Sequence, residues 1–282
     1  MGVGSDGGWL HLAVNQDRVK RRRRFDSFCT HSKGKKMLHV KQEFDKFVEF
    51  LPELERDEVY FLSLSARNKY LSEEEREYWS LGRTEMFSRV TAYDKPGLEY
   101  ALQKLEASLG YRKTRNGKEM PSKSLVVYMN VNPCSTVKAF TMFKGEMDRV
   151  MEEIYTATVK GKDPEYTPFQ RIEKRLMNAV QKSKGRRLLL DVDFDVKTTD
   201  PVREFTGLLK EKGVDYRTIS TRSGYHVLIR KETLGKQNVY TKIAELHKEA
   251  VKDGGEVCFN KNEMVPVPGT MQADKLVHFV EF

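Results

Sequence analysis

The sequence predicts an α+β fold in which the C-terminal third forms an antiparallel sheet with the element order β-α-β-β-α-β. Two observations predict it. Short apolar runs alternate with amphipathic segments from residue 187 onward, and the turn residues Ser223-Gly224 separate two of those runs. In a sheet of this connectivity the first strand is central, between the third and the fourth.

The elements of this third follow in order. We expect strands at 187–194, 215–221 and 225–230 and a fourth that begins at Glu256, with helices at about 201–212 and 236–252. Each element is assigned from the spacing of its apolar residues. The first strand carries the residues with the clearest chemistry, and it therefore decides how the whole sequence is interpreted.

An α/β half is predicted to precede this sheet. The apolar spacing predicts helices near residues 40–51, 72–81, 98–110, 135–153 and 168–184 and strands at 59–64 and 125–129. Ser72 and Glu75 form a capping box at the second of these helices. Because residues 160–168 are polar and carry a glycine and two prolines, they are the best linker. The chain is thus divided into a basic, partly mobile N-terminal arm (1–36), an α/β N-terminal half of the core (37–165) and a C-terminal half (166–282).

The composition favours a nucleic-acid partner. The chain of 282 residues carries 50 Lys and Arg against 41 Asp and Glu, which gives a formal net charge of +9. Such a surface attracts polyanions. The cysteines Cys29, Cys134 and Cys258 lie far apart without a C-x-x-C pair, and no run of eighteen apolar residues occurs. We expect a cytoplasmic protein without disulfides or membrane contact, for which a phage or plasmid is one conceivable source.

Two aspartates on the first predicted strand are the strongest chemical signal. Side chains alternate along a strand, so Asp191 and Asp193 share one face about 7 Å apart while Val192 points the other way. Two carboxylates on a mostly apolar strand repel each other and are costly to desolvate, and divalent cations relieve both problems. The pair predicts a metal site, with a strand end whose acids meet solvent as the alternative.

The predicted topology brings further residues to the aspartates. The third strand runs antiparallel to the first, which places His226 beside Asp193, and the fourth strand brings Glu256 to the same end from the other side. The turn before the third strand contains Thr221, Arg222 and Ser223. Its hydroxyl groups, guanidinium and backbone N–H groups are ligands for phosphate.

These motifs resemble the archaeo-eukaryotic primase and primase-polymerase superfamily over the stretch from residue 187 to 282. The family has an Asp-x-Asp motif on the first strand of an RNA-recognition-like sheet, as in Asp191-Val-Asp193. It has a Ser-x-His-like motif at the third strand, similar to Thr221-Arg-Ser-Gly-Tyr-His226. Its third acidic position is usually Asp, whereas Glu256 stands there in this chain, with Asp253 as the substitute. The segment Val265-Pro-Val-Pro-Gly-Thr270 is similar to a Pro-Gly-Thr stretch of some members.

The resemblance implies a template-directed nucleotidyltransferase, a DNA primase or primase-polymerase, that synthesises or extends nucleic acid on single-stranded DNA from nucleoside triphosphates. It implies Mg²⁺ or Mn²⁺ in a two-metal site formed by Asp191, Asp193 and Glu256. It implies nucleotide binding by Thr221, Arg222, Ser223 and His226. A replicative helicase or another replication protein is an expected partner. The α/β half should complete the cleft, and its residues Arg67 and Lys69 are interpreted as a solvated loop, with contact to template or nucleotide as the alternative.

Three other classes of function compete with this interpretation. A non-catalytic nucleic-acid-binding replication protein could keep the same fold, but RNA-recognition sheets usually display aromatic residues where this strand displays acids. A rolling-circle-type nuclease requires a His-x-His pair, and the sequence has none. A cyclase-like palm enzyme stays open, because the acidic pair alone does not exclude it.

Overall fold

A computed structural model of the protein describes residues 37–108, 121–235 and 239–282. The predicted N-terminal arm, residues 1–36, lies outside the described residues, as do the first three residues of the helix predicted at 236–252. The described part is α+β, and its two principal sheets are antiparallel.

The first sheet belongs mainly to the N-terminal half. Its strands are β1 (Glu58–Arg67), β2 (Thr84–Ala92), β3 (Leu125–Asn130) and β9 (Met264–Pro266), in the order β2-β1-β3-β9, and the short β4 (Cys134–Ser135) pairs with β1. Strand β9 arrives from the far end of the chain and pairs antiparallel with β3. The C-terminal segment therefore completes a sheet that the N-terminal half begins.

Helices flank this sheet. They are α1 (Lys41–Phe50), α2 (Glu73–Trp79), α3 (Gly97–Ser108), α4 (Thr136–Val159), α5 (Thr167–Gln170) and α6 (Ile172–Lys182). The capping box predicted for α2 is confirmed, because the Ser72 hydroxyl accepts from Glu75 N–H while the Glu75 carboxylate accepts from Ser72 N–H. Helix α6 packs against α4.

The second sheet has the predicted strand order. Its strands are β5 (Leu189–Asp195), β6 (Tyr216–Ser220), β7 (Tyr225–Arg230), β8 (Glu256–Phe259) and β12 (His278–Val280), in the order β12-β6-β7-β5-β8. Helices α7 (Asp200–Glu211) and α8 (Val239–Lys252) complete the β-α-β-β-α-β connectivity. Strand β5 lies between β7 and β8, as the sequence predicts, and the short pair β10 (Met271–Gln272) and β11 (Lys275–Leu276) lies outside both sheets.

Strand β5 separates two apolar cores. Its residues Val192 and Phe194 pack in a cluster with α7 and α8. On its opposite face, Leu189 joins a larger cluster that also contains residues of the first sheet and of α1 and α3. The face that carries Asp191 and Asp193 is therefore the one turned toward the first sheet.

Residues on both sides of the predicted division at 165/166 share that larger cluster. Leu189 and Leu228 from the second sheet lie in it together with Leu62 and Val127 from the first. The sequence pattern predicts neither β2 nor the strands β9 to β12. The last four are only two or three residues long, too short for an alternating pattern to be recognised.

Among the residues that the structure describes, no helix is both long and apolar enough to cross a membrane.

Candidate functional site

The acidic face of β5 runs from the protein interior to the surface. Asp191 is buried, with 1% of its surface exposed, whereas the Asp193 side chain is 42% exposed and Asp195 is exposed. The side chains alternate, so all three carboxylates lie on the same face of the strand. Only the outer part of this face can therefore meet a ligand without rearrangement.

His226 lies between the two inner carboxylates. It is the register partner of Asp193 on β7, and its protonated Nδ1 donates to Asp191 Oδ1 at 3.0 Å. Its Nε2 lies 3.8 Å from Asp193 Oδ1. Burial opposes a charge on this imidazole, but Asp191 and Asp193 outweigh burial and raise the pKa of His226 to about 9. His226 is therefore an imidazolium at neutral pH.

Asn260 completes the environment of Asp191. Its side-chain amide donates to Asp191 Oδ2 at 2.7 Å and to the Met264 carbonyl at 3.0 Å, while its Oδ1 accepts from Asn262 N–H at 3.1 Å. The Asn260 backbone N–H also donates to the Asp191 carbonyl. Both oxygens of the Asp191 carboxylate thus have fixed donors. No pattern in the sequence predicts this contact of Asn260, because an asparagine in a loop carries no periodicity.

Asp193 is the carboxylate that faces the cleft. Partial burial raises its pKa, His226 opposes the rise, and the neighbouring Asp191 and Asp195 add to it. On its other side, Asp193 is the register partner of Cys258 on β8. Burial also raises the pKa of the Cys258 thiol to about 11, with the neighbouring Glu256 contributing, so that sulfur is a thiol at neutral pH.

Glu256 lies further out than predicted. It is the register partner of Asp195, and its side chain is exposed. Asp195 is four residues from Asp191, which corresponds to about 13 Å along the strand. Asp191, Asp193 and Glu256 therefore do not meet at one point. The substitute, Asp253, lies in the turn between α8 and β8 and takes no part in the pairing with β5.

The turn between β6 and β7 approaches the end of β5 closely. Thr221 N–H and the Thr221 hydroxyl both donate to the Gly224 carbonyl, which closes the turn. A Cβ atom on Gly224 would lie 1.9 Å from the carbonyl oxygen of Phe194, so any larger residue would push the turn away from the strand. The glycine therefore keeps Ser223 next to the acidic face.

Lys69 from the first sheet's side reaches this turn. Its Nζ donates to Ser223 Oγ at 3.1 Å. Burial lowers the pKa of Lys69, as does nearby Arg67, and the charges of Asp195 and Asp193 oppose that change. Lys69 is exposed, as the interpretation of a solvated position expects, and the packing of the two halves also places its ammonium group beside Ser223 at the acidic site.

Two further cations line the same region. Arg67 Nη1 donates to the Tyr128 hydroxyl at 2.8 Å. The Arg222 guanidinium forms an ion pair with Asp274 and lies over the Tyr70 ring. The Arg222 backbone N–H donates to the Gln272 side-chain carbonyl at 2.7 Å. Three cations, Arg67, Lys69 and Arg222, therefore lie near the acidic face of β5.

The acids supply the donor type that Mg²⁺ and Mn²⁺ take, but they are not assembled into a closed ligand set. Within residues 37–108, 121–235 and 239–282, no group of three or more His, Cys, Asp or Glu side chains is arranged to hold a metal ion. Mg²⁺ is commonly held by one or two carboxylates together with substrate phosphates. The donors present fit an ion that Asp193 shares with a bound phosphate group.

Two cavities of the described residues lie away from this site. One, of about 590 Å³, is lined by residues that include Phe50, Arg217 and Arg230. The other, of about 310 Å³, is lined by residues that include Lys184 and Lys261. The candidate site is thus identified by its charges and hydrogen bonds rather than by an enclosed pocket.

Comparison with known proteins identifies no relative. No protein-family model matches the chain. No curated protein matches it, and no solved structure matches it. The functional interpretation therefore depends on the residues of the chain itself.

Proposed function

We propose that the protein is a template-directed nucleotidyltransferase of the primase-polymerase type, which joins nucleoside triphosphates on single-stranded DNA. In this proposal the second sheet is the RNA-recognition-like catalytic half, and the first sheet belongs to the α/β half that completes the cleft. The net charge of +9 suits a nucleic-acid substrate, because a positive surface attracts the phosphate backbone.

One observation carries the proposal: Asp193 and His226 are register partners at the same place where Lys69 reaches Ser223. A nucleoside triphosphate requires both kinds of group, since cations and hydroxyls bind its phosphates while a carboxylate holds the accompanying metal ion. Acids alone would repel a phosphate, and cations alone would bind it without chemistry. The proximity of the two sets supports transfer rather than binding only.

Nucleotidyl transfer depends mainly on positioning and on charge neutralisation. In the proposed complex Lys69, Arg222 and the Ser223 and Thr221 hydroxyls bind phosphate oxygens. The His226 imidazolium is held in place by Asp191 and points Nε2 toward Asp193, so its N–H would be a donor beside the ion and the phosphate that Asp193 holds. These groups would orient the α-phosphate toward a 3′-hydroxyl. The hydroxyl oxygen would form the new bond to the α-phosphorus as the bond to the β-phosphate oxygen breaks, so that the products are the lengthened strand and pyrophosphate and the hydroxyl proton passes to water.

Asp193 would hold the divalent ion together with oxygens of the bound phosphate, whereas Asp191 and Glu256, the further ligands predicted from the sequence, do not meet Asp193 at one point. When bound, such an ion lowers the pKa of the attacking hydroxyl and stabilises the charge on the α-phosphate. Asp191 keeps both oxygens engaged by His226 and Asn260, so its direct contribution is to position His226.

The test is an incorporation assay with the purified chain. A single-stranded DNA template is incubated with labelled nucleotides and either Mg²⁺ or Mn²⁺, with a primer and without one. The proposal predicts labelled product in the primed reaction, and product in the unprimed reaction would add strand initiation. If neither metal yields product with ribo- or deoxyribonucleotides, while the chain still binds the template, the proposal is wrong.

A second candidate function is a non-catalytic nucleic-acid-binding replication protein. It is favoured by one observation, namely that the Asp191 carboxylate is buried and fully engaged by His226 and Asn260. Equilibrium dialysis with Mn²⁺ and a non-hydrolysable nucleoside triphosphate discriminates between the two. The binding module should retain no Mn²⁺ with the nucleotide, whereas the nucleotidyltransferase should retain it and lose it in Asp193→Asn.

A further inference from the structure

A basic pocket of about 310 Å³ lies at the opposite end of β5 from the candidate site. Lys184, Arg186 and Arg187 line it from the loop before β5, and Lys261 lines it from the loop between β8 and β9. We propose that this pocket binds a backbone phosphate of the DNA strand on which the candidate site acts. The identity of that strand rests on the proposed function, whereas the anion-binding property does not.

The loop that carries three of these cations is held rigidly. The Asn132 side-chain carbonyl accepts from both Leu188 N–H and Leu189 N–H at 2.8 Å. Gly185 N–H donates to the Pro133 carbonyl, and a Cβ atom on Gly185 would lie 2.8 Å from that same oxygen. A loop fixed by its backbone presents its side chains in a defined place, which lowers the entropy cost of binding.

The pocket has an excess of positive charge. Glu263, which is buried, accepts from Arg187 Nε at 2.9 Å and lies 3.6 Å from Lys184 Nζ. Lys261 adds a third cation, so three positive side chains face one carboxylate. Arg186 is not part of this excess, because Glu58 pairs with it at 2.6 Å. The exposed positions of Lys184, Arg187 and Lys261 leave their charges accessible to an anion.

The pocket and the candidate site share a wall. Lys261 directly follows Asn260, whose amide donates to Asp191. Leu189, anchored by Asn132 beside the pocket, is four residues before Asp193, which corresponds to about 13 Å along the strand. At the rise of about 3.4 Å per nucleotide in one strand of a duplex, that distance equals about four nucleotides.

This separation favours a polymer as the occupant. A nucleotide bound by Lys69 and Ser223 would occupy the cleft at one end of β5, whereas a strand can continue to the other end. Three accessible cations around one pocket suit the sequence-independent contacts that hold a backbone in place.

The experiment measures binding without catalysis. Fluorescence anisotropy with labelled oligodeoxythymidylate, in the absence of divalent ions and nucleotides, gives the dissociation constant at several salt concentrations. The full chain is compared with Lys184→Gln/Lys261→Gln, and Lys248→Gln/Lys252→Gln serves as the matched control. The control pair is exposed on α8, on the other face of the second sheet. All four side chains are exposed, but Lys184 also donates to the Lys261 carbonyl and lies near the buried Glu263. Circular dichroism and urea denaturation therefore check that each double variant is folded before its binding is compared.

The pocket variant should bind about tenfold more weakly, and the slope of log K against log salt should fall by about 0.7, the value for one lost phosphate contact on a single strand. The control should match the wild type. Equal affinity of pocket variant and wild type, or an equal loss in the control, would overturn the proposal.

Asp193→Asn, measured in the binding assay and in the incorporation assay, separates this inference from the proposed function. That variant should bind the oligonucleotide like the wild type, because the pocket is intact. If Asp193→Asn still incorporates nucleotides normally while the pocket variant loses binding, the proposed active site is wrong and the strand site stands. If Asp193→Asn loses incorporation and the pocket variant binds normally, the proposed active site stands and the strand site is wrong.

Discussion

The contact between the two sheets differs in polarity between the start and the end of β5. Toward the start of β5 much of the contact is apolar, because Leu189 and Leu228 of the second sheet pack in one cluster with Val265 of the first, and Asn132 adds hydrogen bonds to Leu188 and Leu189 N–H. At the end of β5 the contact is polar, since Lys69 donates to Ser223 beside the acidic strand face. The apolar end fixes the relation of the two halves, which allows the polar end to stay open.

The aspartates of β5 become more exposed from the start of the strand to its end. Asp191 lies between the two ends and is buried, whereas Asp193 and Asp195 become progressively more exposed. Changes toward the apolar end should therefore affect the free energy of unfolding. Changes toward the polar end should affect activity and leave stability nearly unchanged.

Removal of the buried carboxylate should have the largest effect on stability. Asp191→Ala leaves the His226 charge and the Asn260 amide without their partner, and breaking a buried pair costs about 3–5 kcal/mol. Urea denaturation measures the change. Asp195→Asn, at the exposed end of the same face, is the control and should change the free energy of unfolding by less than about 0.5 kcal/mol. Similar losses in the two variants would contradict the difference between the ends.

The His226–Asp191 pair should also make stability depend on pH. The pKa of His226 is about 9 in the folded protein and about 6.5 when unfolded. Because the folded-state value is raised, the pair's contribution is complete below about pH 6.5 and is lost as the pH rises through about 9. Urea midpoints of the wild type should fall over this range, and those of Asp191→Asn should fall less. An equal fall of the urea midpoint with pH in the wild type and in Asp191→Asn would contradict this explanation.

Asn260→Asp tests the inner carboxylate in a different way. The substitution replaces the amide donor to Asp191 Oδ2 by a second carboxylate, which should lower the free energy of unfolding by about 2 kcal/mol. Mn²⁺ should restore part of that loss in the variant, because a cation between the two carboxylates neutralises their repulsion. Thermal melts with and without Mn²⁺ measure this, and the wild type is the control. Equal metal responses would show that Asp191 is not accessible to an ion.

Loss of the Lys69 charge should have the smallest effect. Lys69→Gln removes one cation from the proposed phosphate site, so the KM for the nucleotide should rise about tenfold with little change in kcat. Lys69→Arg keeps the charge and should recover most of the affinity. Steady-state incorporation kinetics measure both constants. A normal KM in Lys69→Gln would show that Lys69 takes no part in nucleotide binding.

The local pattern of the sequence predicts the second sheet well. Strand β7 has the predicted bounds, and the predicted position of His226 beside Asp193 is confirmed by their register. That prediction succeeds because alternation and short turns are local properties. Contacts between distant segments are different, since no periodicity links Lys69 to Ser223 or Asn260 to Asp191.

Strand register explains the remaining discrepancy in the candidate site. The topology predicts correctly that β8 borders β5, but it does not fix how far along the strand each residue lies. Glu256 is opposite Asp195 rather than Asp193, a difference of two residues that moves a carboxylate by about 7 Å along the strand. The sequence predicts where β8 starts and in which direction it runs, but it does not predict the register of β8 against β5.

Incorporation of labelled nucleotide by Asp193→Asn tests the central claim most directly. The assay compares this variant with the wild type at equal concentrations of folded protein on a primed single-stranded template. If the polar end of β5 is a nucleotidyl-transfer site, the rate should fall by about a factor of 10² to 10³ while the urea midpoint stays close to that of the wild type. A rate equal to that of the wild type would contradict the account, because the accessible carboxylate would then have no part in the reaction.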